Sequence, residues 1–563
     1  MIKLKKLTIR NWPVLFLTAI TVVAFGLRIG GINYYMYQDE TYWLYAALKI
    51  GNLDFNYNFS GIYIPIMFFL YSFYFVIGFL LGIFSSTSDF LQAYFSNPHN
   101  FFLIGRIYEC IAGAACIPVS YLIGVKLFNR RIGLMAALFL SFSYVHVSIC
   151  QRARGEAFSC LFLLLAFYFI CKIIKKADFR NYIMVGIFSG MAISIRMNMF
   201  PIILTLILVH LNCTGKTINF WRKIVRLKFI LALLFVPILF VLSNPAISEQ
   251  IQFVRAILKT FINPTAVYIG SQPTQPAYLY YLQWGFRNAF GWTLSLLSLA
   301  GILYAVIKIK DRHNWIILSF VIPYFAVIGK SSIASSRYLF PLSPFLAIMC
   351  SQIIFRASSL TIPKRLRNMI IALVSLVIIL EGAVLIYDKN KLQTLPRTQN
   401  ISKEWVFANI PTGSRIAVDS MGGYGPDLNN VPVIDDWIYN LSPDELKFLY
   451  NERMKNNFRG GYALKCFIEN PPYPRYFLEN LGTREMVAIE EIKEQKIEYI
   501  IVSSTVQNLY ESQKIRQNFP GFASARLALY NWLDNDWEVI KIFEPQPDVS
   551  IGPIIKVFQK KKL

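Results

Sequence analysis

The sequence predicts a polytopic α-helical membrane protein of about eleven transmembrane helices with an extracytoplasmic α/β domain at its C-terminal end. Three observations predict it. The 563 residues are 55% hydrophobic and 16% charged, and the mean hydropathy of +0.45 lies above that of ordinary soluble domains. The net charge of +24 resides in the first 387 residues, which hold 34 basic and 10 acidic residues, against 22 of each from Asp388 onward. Those basic residues fall in short clusters between apolar runs. This is the pattern of cytoplasmic membrane loops and excludes a nucleic-acid face.

Apolar runs able to cross a bilayer lie at residues 12–30, 101–125, 132–149, 158–174, 183–195, 200–211, 229–242, 284–307, 315–328, 338–354 and 369–387. The basic clusters at 3–10, 126–131, 172–180, 216–228, 308–312 and 356–367 then fall on one side, the cytoplasmic one. A further run, 62–84, is long enough to span, but counting it would turn several basic loops outward. It is expected to be a re-entrant or interfacial helix. This arrangement puts the N-terminus in the cytoplasm, the tail outside, and the whole chain in the inner (plasma) membrane. It divides the chain into a membrane domain, 1–387, with juxtamembrane helices at about 32–100, and a soluble domain, 388–563.

The soluble part has strand-like runs at 415–419, 498–502, 537–543 and 553–558, with helical patterns at 443–455 and 484–495. An alternation of this kind predicts an α/β domain. The segment 421–426 (MGGYGP) lacks a phosphate-cradling pattern and reads as a loop. Of eight cysteines seven lie in or beside apolar spans, with no CxxC pair, and the four histidines are scattered. Neither a disulfide framework nor a dedicated zinc site is expected.

With ten acidic residues in the membrane part, each is a candidate for chemistry. Asp39 and Glu40 stand just outside the first span in Tyr37-Gln-Asp-Glu-Thr-Tyr-Trp43, before the amphipathic stretch 41–49. The bland reading is a pair of carboxylates at a helix N-terminus within an aromatic interfacial belt. The next outer turn is Gln151-Arg-Ala-Arg-Gly-Glu156. Arg152 and Arg154 run against the positive-inside bias, and Arg106, Arg196 and Arg337 fall on the same outer side. Singly, each is an ordinary snorkelling arginine. Together with Asp39, Glu40 and Glu156 they suggest an anionic ligand at membrane depth. A lipid-linked phosphate fits: guanidinium groups bind its oxygens and hold the charge of a departing phosphate, while a carboxylate takes the proton of an attacking hydroxyl.

An ordered set of motifs then resembles the GT-C membrane glycosyltransferases, specifically the superfamily of protein O-mannosyltransferases and lipid A aminoarabinose transferases (glycosyltransferase family 39 and relatives). The set comprises Asp39-Glu40, the Pro65-containing apolar helix, Gly105-Arg106, Leu127-Phe-Asn-Arg-Arg131, the Arg152 to Glu156 turn, Asn244-Pro245 and Arg337-Tyr-Leu-Phe-Pro-Leu-Ser-Pro344. The resemblance implies inverting transfer from a polyprenyl-phosphate sugar to an extracytoplasmic glycolipid, glycan or protein. Asp39 would be the base and Glu40 its neighbour or an acceptor contact, with Arg106, Arg196 and Arg337, next to Tyr338, near the carrier phosphate. Two departures touch the acceptor: no basic residue or His precedes Pro65, and the second acidic position is Glu156 instead of Asp. Relatives sometimes hold a divalent cation near the acidic residues; no cofactor is otherwise implied.

Two other classes compete. A transporter or flippase of a lipid-linked glycan also needs arginines around phosphate, but such proteins favour internal repeats and polar groups through the midplane. Only Glu109 and Glu381 are acidic inside the expected spans. A scaffold that recruits partners through its tail is the third class, and the intact acidic pair argues against it.

Overall fold

Each of the eleven expected crossings coincides with helix in the computed structural model. The structure describes residues 2–34, 38–51, 61–96, 98–213, 226–243, 251, 255, 277–331, 334–357, 363–411, 413–419, 477–480, 489–494, 496–511, 513–518 and 520–561. The longer helices of the membrane part, among the described residues, are α1 (Ile2–Ile29), α2 (Gln38–Gly51), α3 (Tyr63–Leu80), α4 (Thr87–Ser96), α5 (His99–Leu127), α6 (Arg130–Ser141), α7 (Tyr144–Cys150), α8 (Glu156–Lys175), α9 (Phe179–Ile195), α10 (Pro201–Cys213), α11 (Leu227–Leu242), α12 (Trp292–Ile307), α13 (Arg312–Lys330), α14 (Ser343–Ala357) and α15 (Lys364–Thr394), with short helical pieces at Ala277–Tyr280 and Phe286–Phe290. A π turn at Tyr281–Gly285 precedes α12, and a 3-10 segment, Ser336–Leu342, leads into α14.

Seven of these reach the length and apolarity of a crossing, and the pair α6 and α7, bent by 58°, would make an eighth; α9 to α12 are shorter. The bend divides a run that the sequence presents as one span. Ser143 is extended at the break, which ends one hydrogen-bonding ladder and starts another. The run expected to be re-entrant or interfacial forms α3, one of the seven helices of spanning length and composition. Phe69, Phe73, Val76 and Leu80 are exposed on it, an apolar surface suited to lipid.

Backbones approach closely where glycines allow it. A Cβ on Gly186 of α9 would lie 2.5 Å from the Ala232 carbonyl oxygen of α11, and one on Gly190 would lie 2.9 Å from that of Phe235. Small residues on one face replace hydrophobic burial as the source of helix association in lipid.

The tail builds a five-stranded sheet in the order β2-β1-β3-β5-β4, from β1 (Arg415–Asp419), β2 (Phe477–Asn480), β3 (Tyr499–Ser503), β4 (Trp537–Phe543) and β5 (Ile555–Lys560). β2, β1 and β3 run parallel, and β5 and β4 add antiparallel. Alternation along the strands produces two cores. Ala417, Ile500 and Val502 meet Leu529 and Leu533 of the helix Pro520–Asp536 on one face, while Ile416, Val418 and Ile501 meet Val406 and Ile410 on the other. The expected helix 443–455 and the 421–426 loop lie outside the described residues, as does Asn244-Pro245. Within the expected 484–495 helix, Ile489–Glu494 is helical.

Candidate functional site

The site centres on the turn 151–156 between α7 and α8, and two buried carboxylates from other helices hold it. Glu40 of α2 accepts from the Ala153 amide at 2.7 Å. Glu109 of α5 accepts from the Gly155 and Ala157 amides at 2.8 and 2.9 Å. Gly155 sits at φ +80°, and a Cβ there would lie 2.8 Å from Ile195 and 2.9 Å from Tyr63. Only glycine takes this left-handed, crowded position cheaply.

Glu40 has a further partner that its place in the sequence does not announce. Arg106 donates to both its carboxylate oxygens, at 3.0 and 2.6 Å, and to the Ile32 and Tyr34 carbonyls. Its guanidinium also stacks on the Tyr34 ring at 3.7 Å. Burial, and then the Glu40 charge, push the Tyr34 phenol well above its ordinary range. Arg106 and Glu40 thus form a saturated knot tying α2, α5 and the 151–156 turn together, and neither lines the cavity described next. Asp39 precedes Glu40 in the first turn of α2; its side chain lies outside the described residues. It occupies the position one helical turn before Trp43.

The arginines converge where the turn meets α9 and the 3-10 segment. Glu156 accepts from Arg196 at 2.8 Å and from Arg154 at 3.3 Å. Arg196 also donates to the Arg154 carbonyl at 3.1 Å and lies over the Trp43 ring, 5.6 Å from its centroid. Arg337 donates to the Tyr338 hydroxyl at 3.2 Å. Arg154, Glu156, Arg196, Arg337 and Tyr338, with Asn198, Tyr324 and Phe340, line a cavity of about 60 Å³, room for several waters or one tetrahedral anion. Four of the sequence candidates, Arg154, Glu156, Arg196 and Arg337, therefore meet in one cavity, with Tyr338 in its wall. Arg152 lies in the same turn but outside that lining.

Asn198 and Tyr324 were not singled out by the sequence. An isolated polar residue in an apolar run gives no sign of which neighbour it will face. The same holds behind Phe340, where Cys116, His146 and Cys160 bring their ligand atoms within 4.8 Å. Arg28 lies 2.7 Å from His146 Nδ1. A guanidinium only donates, so Nδ1 accepts and Nε2 carries the proton, which opposes cation binding there. Glu40 and Glu156 are likewise paired with guanidinium groups, which sets these two carboxylates against holding a divalent cation.

A multi-span bundle with a cationic cavity and an appended α/β domain has the fold of the GT-C membrane glycosyltransferases. Residues 98–243 match the family described as dolichyl-phosphate-mannose-protein mannosyltransferase. ArnT from Cupriavidus metallidurans, solved bound to undecaprenyl phosphate, is similar over 97% of this chain and 98% of its own, with a TM-score of 0.53 at 13% identity. The oligosaccharyltransferase AglB from Archaeoglobus fulgidus, solved with an inhibitory peptide and a dolichol-phosphate, is similar over 97% of this chain and 74% of its own, with a TM-score of 0.52 at 12% identity. No curated protein matches the chain.

Proposed function

We propose that the protein transfers a sugar from a polyprenyl-phosphate carrier to an extracytoplasmic hydroxyl, with inversion. The observation that carries this reading is the meeting of Arg154, Arg196 and Arg337 around one carboxylate in a cavity at the end of the bundle. Three guanidiniums against one carboxylate leave a net positive site, and phosphate oxygens match the guanidinium fork. The solved relatives of this fold that were bound to undecaprenyl phosphate and to a dolichol-phosphate support a carrier of that kind.

In the reaction an acceptor oxygen attacks the anomeric carbon, the bond from that carbon to the phosphate oxygen breaks, and the carrier monophosphate departs. The arginines hold the charge that develops on the phosphate. The proton of the attacking hydroxyl goes to Asp39. Trp43 supports this assignment: it lies beneath Arg196 and one helical turn beyond Asp39 on α2. The knot of Glu40 with Arg106 makes Glu40 a positioning residue that anchors that turn.

The test is transfer in proteoliposomes supplied with labelled polyprenyl-phosphate sugars and membrane extract as acceptor. Asp39→Asn is expected to abolish transfer while carrier binding persists, and Arg196→Ala to weaken both. Full activity in Asp39→Asn would remove its role as base. Flipping of a lipid-linked glycan that survives Asp39→Asn, with no transfer in the parent protein, would favour a transporter.

A further inference from the structure

α15 joins the membrane part to the tail, and its 31 residues make it roughly 46 Å long, well beyond a hydrocarbon core of about 30 Å. Its buried positions form one stripe, Ser375, Ile378, Gly382 and Ile386, and the next step along that stripe is Lys389 and Asn390. Both meet Gln151, the first residue of the turn that carries Arg154 and Glu156. Lys389 Nζ donates to Gln151 Oε1, and Gln151 Nε2 donates to Asn390 Oδ1 at 3.1 Å and to the Arg28 carbonyl at 2.9 Å. An ammonium only donates and a backbone carbonyl only accepts, so the amide has a single orientation here. Gln151 is fully buried, and its own carbonyl accepts from the Tyr34 hydroxyl at 3.1 Å. A Cβ on Gly31 would lie 2.5 Å from Gln151 Nε2, so glycine after α1 leaves the junction its room.

The same helix end holds the tail. Lys391, next to Asn390, pairs with Asp548 at 2.9 Å. Just past the helix, the Ile551 amide donates to the Pro396 carbonyl at 2.9 Å and the Thr398 amide to the Ile551 carbonyl at 2.8 Å. The Thr398 hydroxyl donates to the Pro553 carbonyl at 2.6 Å. Residues 548–553 lead directly into β5, which pairs with β3 and β4. A continuous hydrogen-bonded path therefore runs from the sheet, through the end of α15, to the first residue of the arginine turn. Glu40 and Glu109 hold that turn from within the bundle, and Gln151 holds it from the side of the tail.

We infer that Gln151 is a positioning residue through which the seating of the tail on α15 sets the turn that carries Arg154 and Glu156. This rests on the polyprenyl-phosphate reading above and adds to it a way for the α/β domain to act on the phosphate cavity, none of whose lining residues it supplies. A path of contacts becomes coupling only if changes at its two ends fail to add.

The test is a double-mutant cycle on the full chain in proteoliposomes. The rate of transfer to membrane extract is read at saturating donor, the best of labelled undecaprenyl-phosphate-linked glucose, galactose and mannose. One change is Gln151→Leu, which removes the bonds to Lys389 and Asn390. The other inserts Gly-Ser-Gly-Ser between Thr394 and Leu395, beyond the residues that meet Gln151, and loosens the tail from the helix. Each alone is expected to lower the rate about tenfold, as a displaced site requires. Both together should lower it by about the same factor, because the insertion then has nothing left to transmit. The cycle is repeated with Asn390→Leu, on the part-exposed end of α15, so that a Gln151→Leu chain that fails to fold does not decide the result. Asn390→Asp, which keeps the acceptor for Gln151, should hold the parental rate. Losses that multiply to about a hundredfold, or a parental rate in either single variant of a cycle, would overturn the inference. Transfer by the parent, with binding of undecaprenyl phosphate in nanodiscs, keeps the polyprenyl-phosphate reading standing in that case. A parent protein that neither transfers nor binds overturns both.

Discussion

Glu40 and Arg106 meet in two parallel hydrogen bonds of 2.6 and 3.0 Å, with neither side chain exposed to solvent. Removing one partner leaves the other charge buried, at a cost of about 3–5 kcal/mol. Arg106→Ala is thus expected to lower the thermal midpoint in detergent sharply. The pair Glu40→Leu with Arg106→Met should recover part of that loss. It should not recover transfer, because the Ala153 amide still lacks its acceptor.

Gly155→Ala tests the turn itself. The added methyl group meets both left-handed strain and Ile195 and Tyr63 at under 3 Å, together costing roughly 2–4 kcal/mol. The turn displaced in this way carries Arg154 and Glu156. Transfer activity is expected to fall by at least about tenfold even below the melting range, as a lost catalytic geometry requires.

Glu156 accepts from both Arg154 and Arg196. Glu156→Gln removes the internal anion and leaves the arginines facing one another. The variant is expected to be less stable without ligand and to gain more stability than the parent when undecaprenyl phosphate is added, by linkage. Unfolding midpoints with and without the carrier, at two salt concentrations, measure this directly.

In the tail, Asp419 at the end of β1 accepts from Arg526 at 2.5 Å and from the Tyr530 hydroxyl at 2.6 Å. Burial raises the Asp419 carboxyl above its usual range, and the Arg526 guanidinium opposes that rise. Asp419→Ala leaves the Arg526 charge buried without its carboxylate, at about 3–5 kcal/mol. Limited proteolysis should then cut the tail faster while residues 1–387 remain protected. If the tail helps hold the acceptor, transfer will fall in the same variant while carrier binding stays constant.

Hydropathy and charge determined much of this protein without a structure. Apolar runs of bilayer length must become helices, because lipid offers no partner to backbone amides. The runs at 101–125 and 158–174 accordingly appear as α5 and α8. That the 151–156 turn matters was also legible, since Arg152 and Arg154 stand out against the charge bias expected of membrane loops, and Arg154 does line the cavity. The pairing of the arginines was not. Arg106 could have faced the cavity as Arg196 does; helix packing instead set it against Glu40, 66 residues away. Glu109 reads as an isolated acid in a span, and only the approach of α5 to the 151–156 turn makes it a clamp. Asn198 gained its direction from Tyr324, 126 residues on. Periodicity and charge are local properties carried by each segment alone, whereas the partner of a buried polar group depends on which helices meet and at what depth.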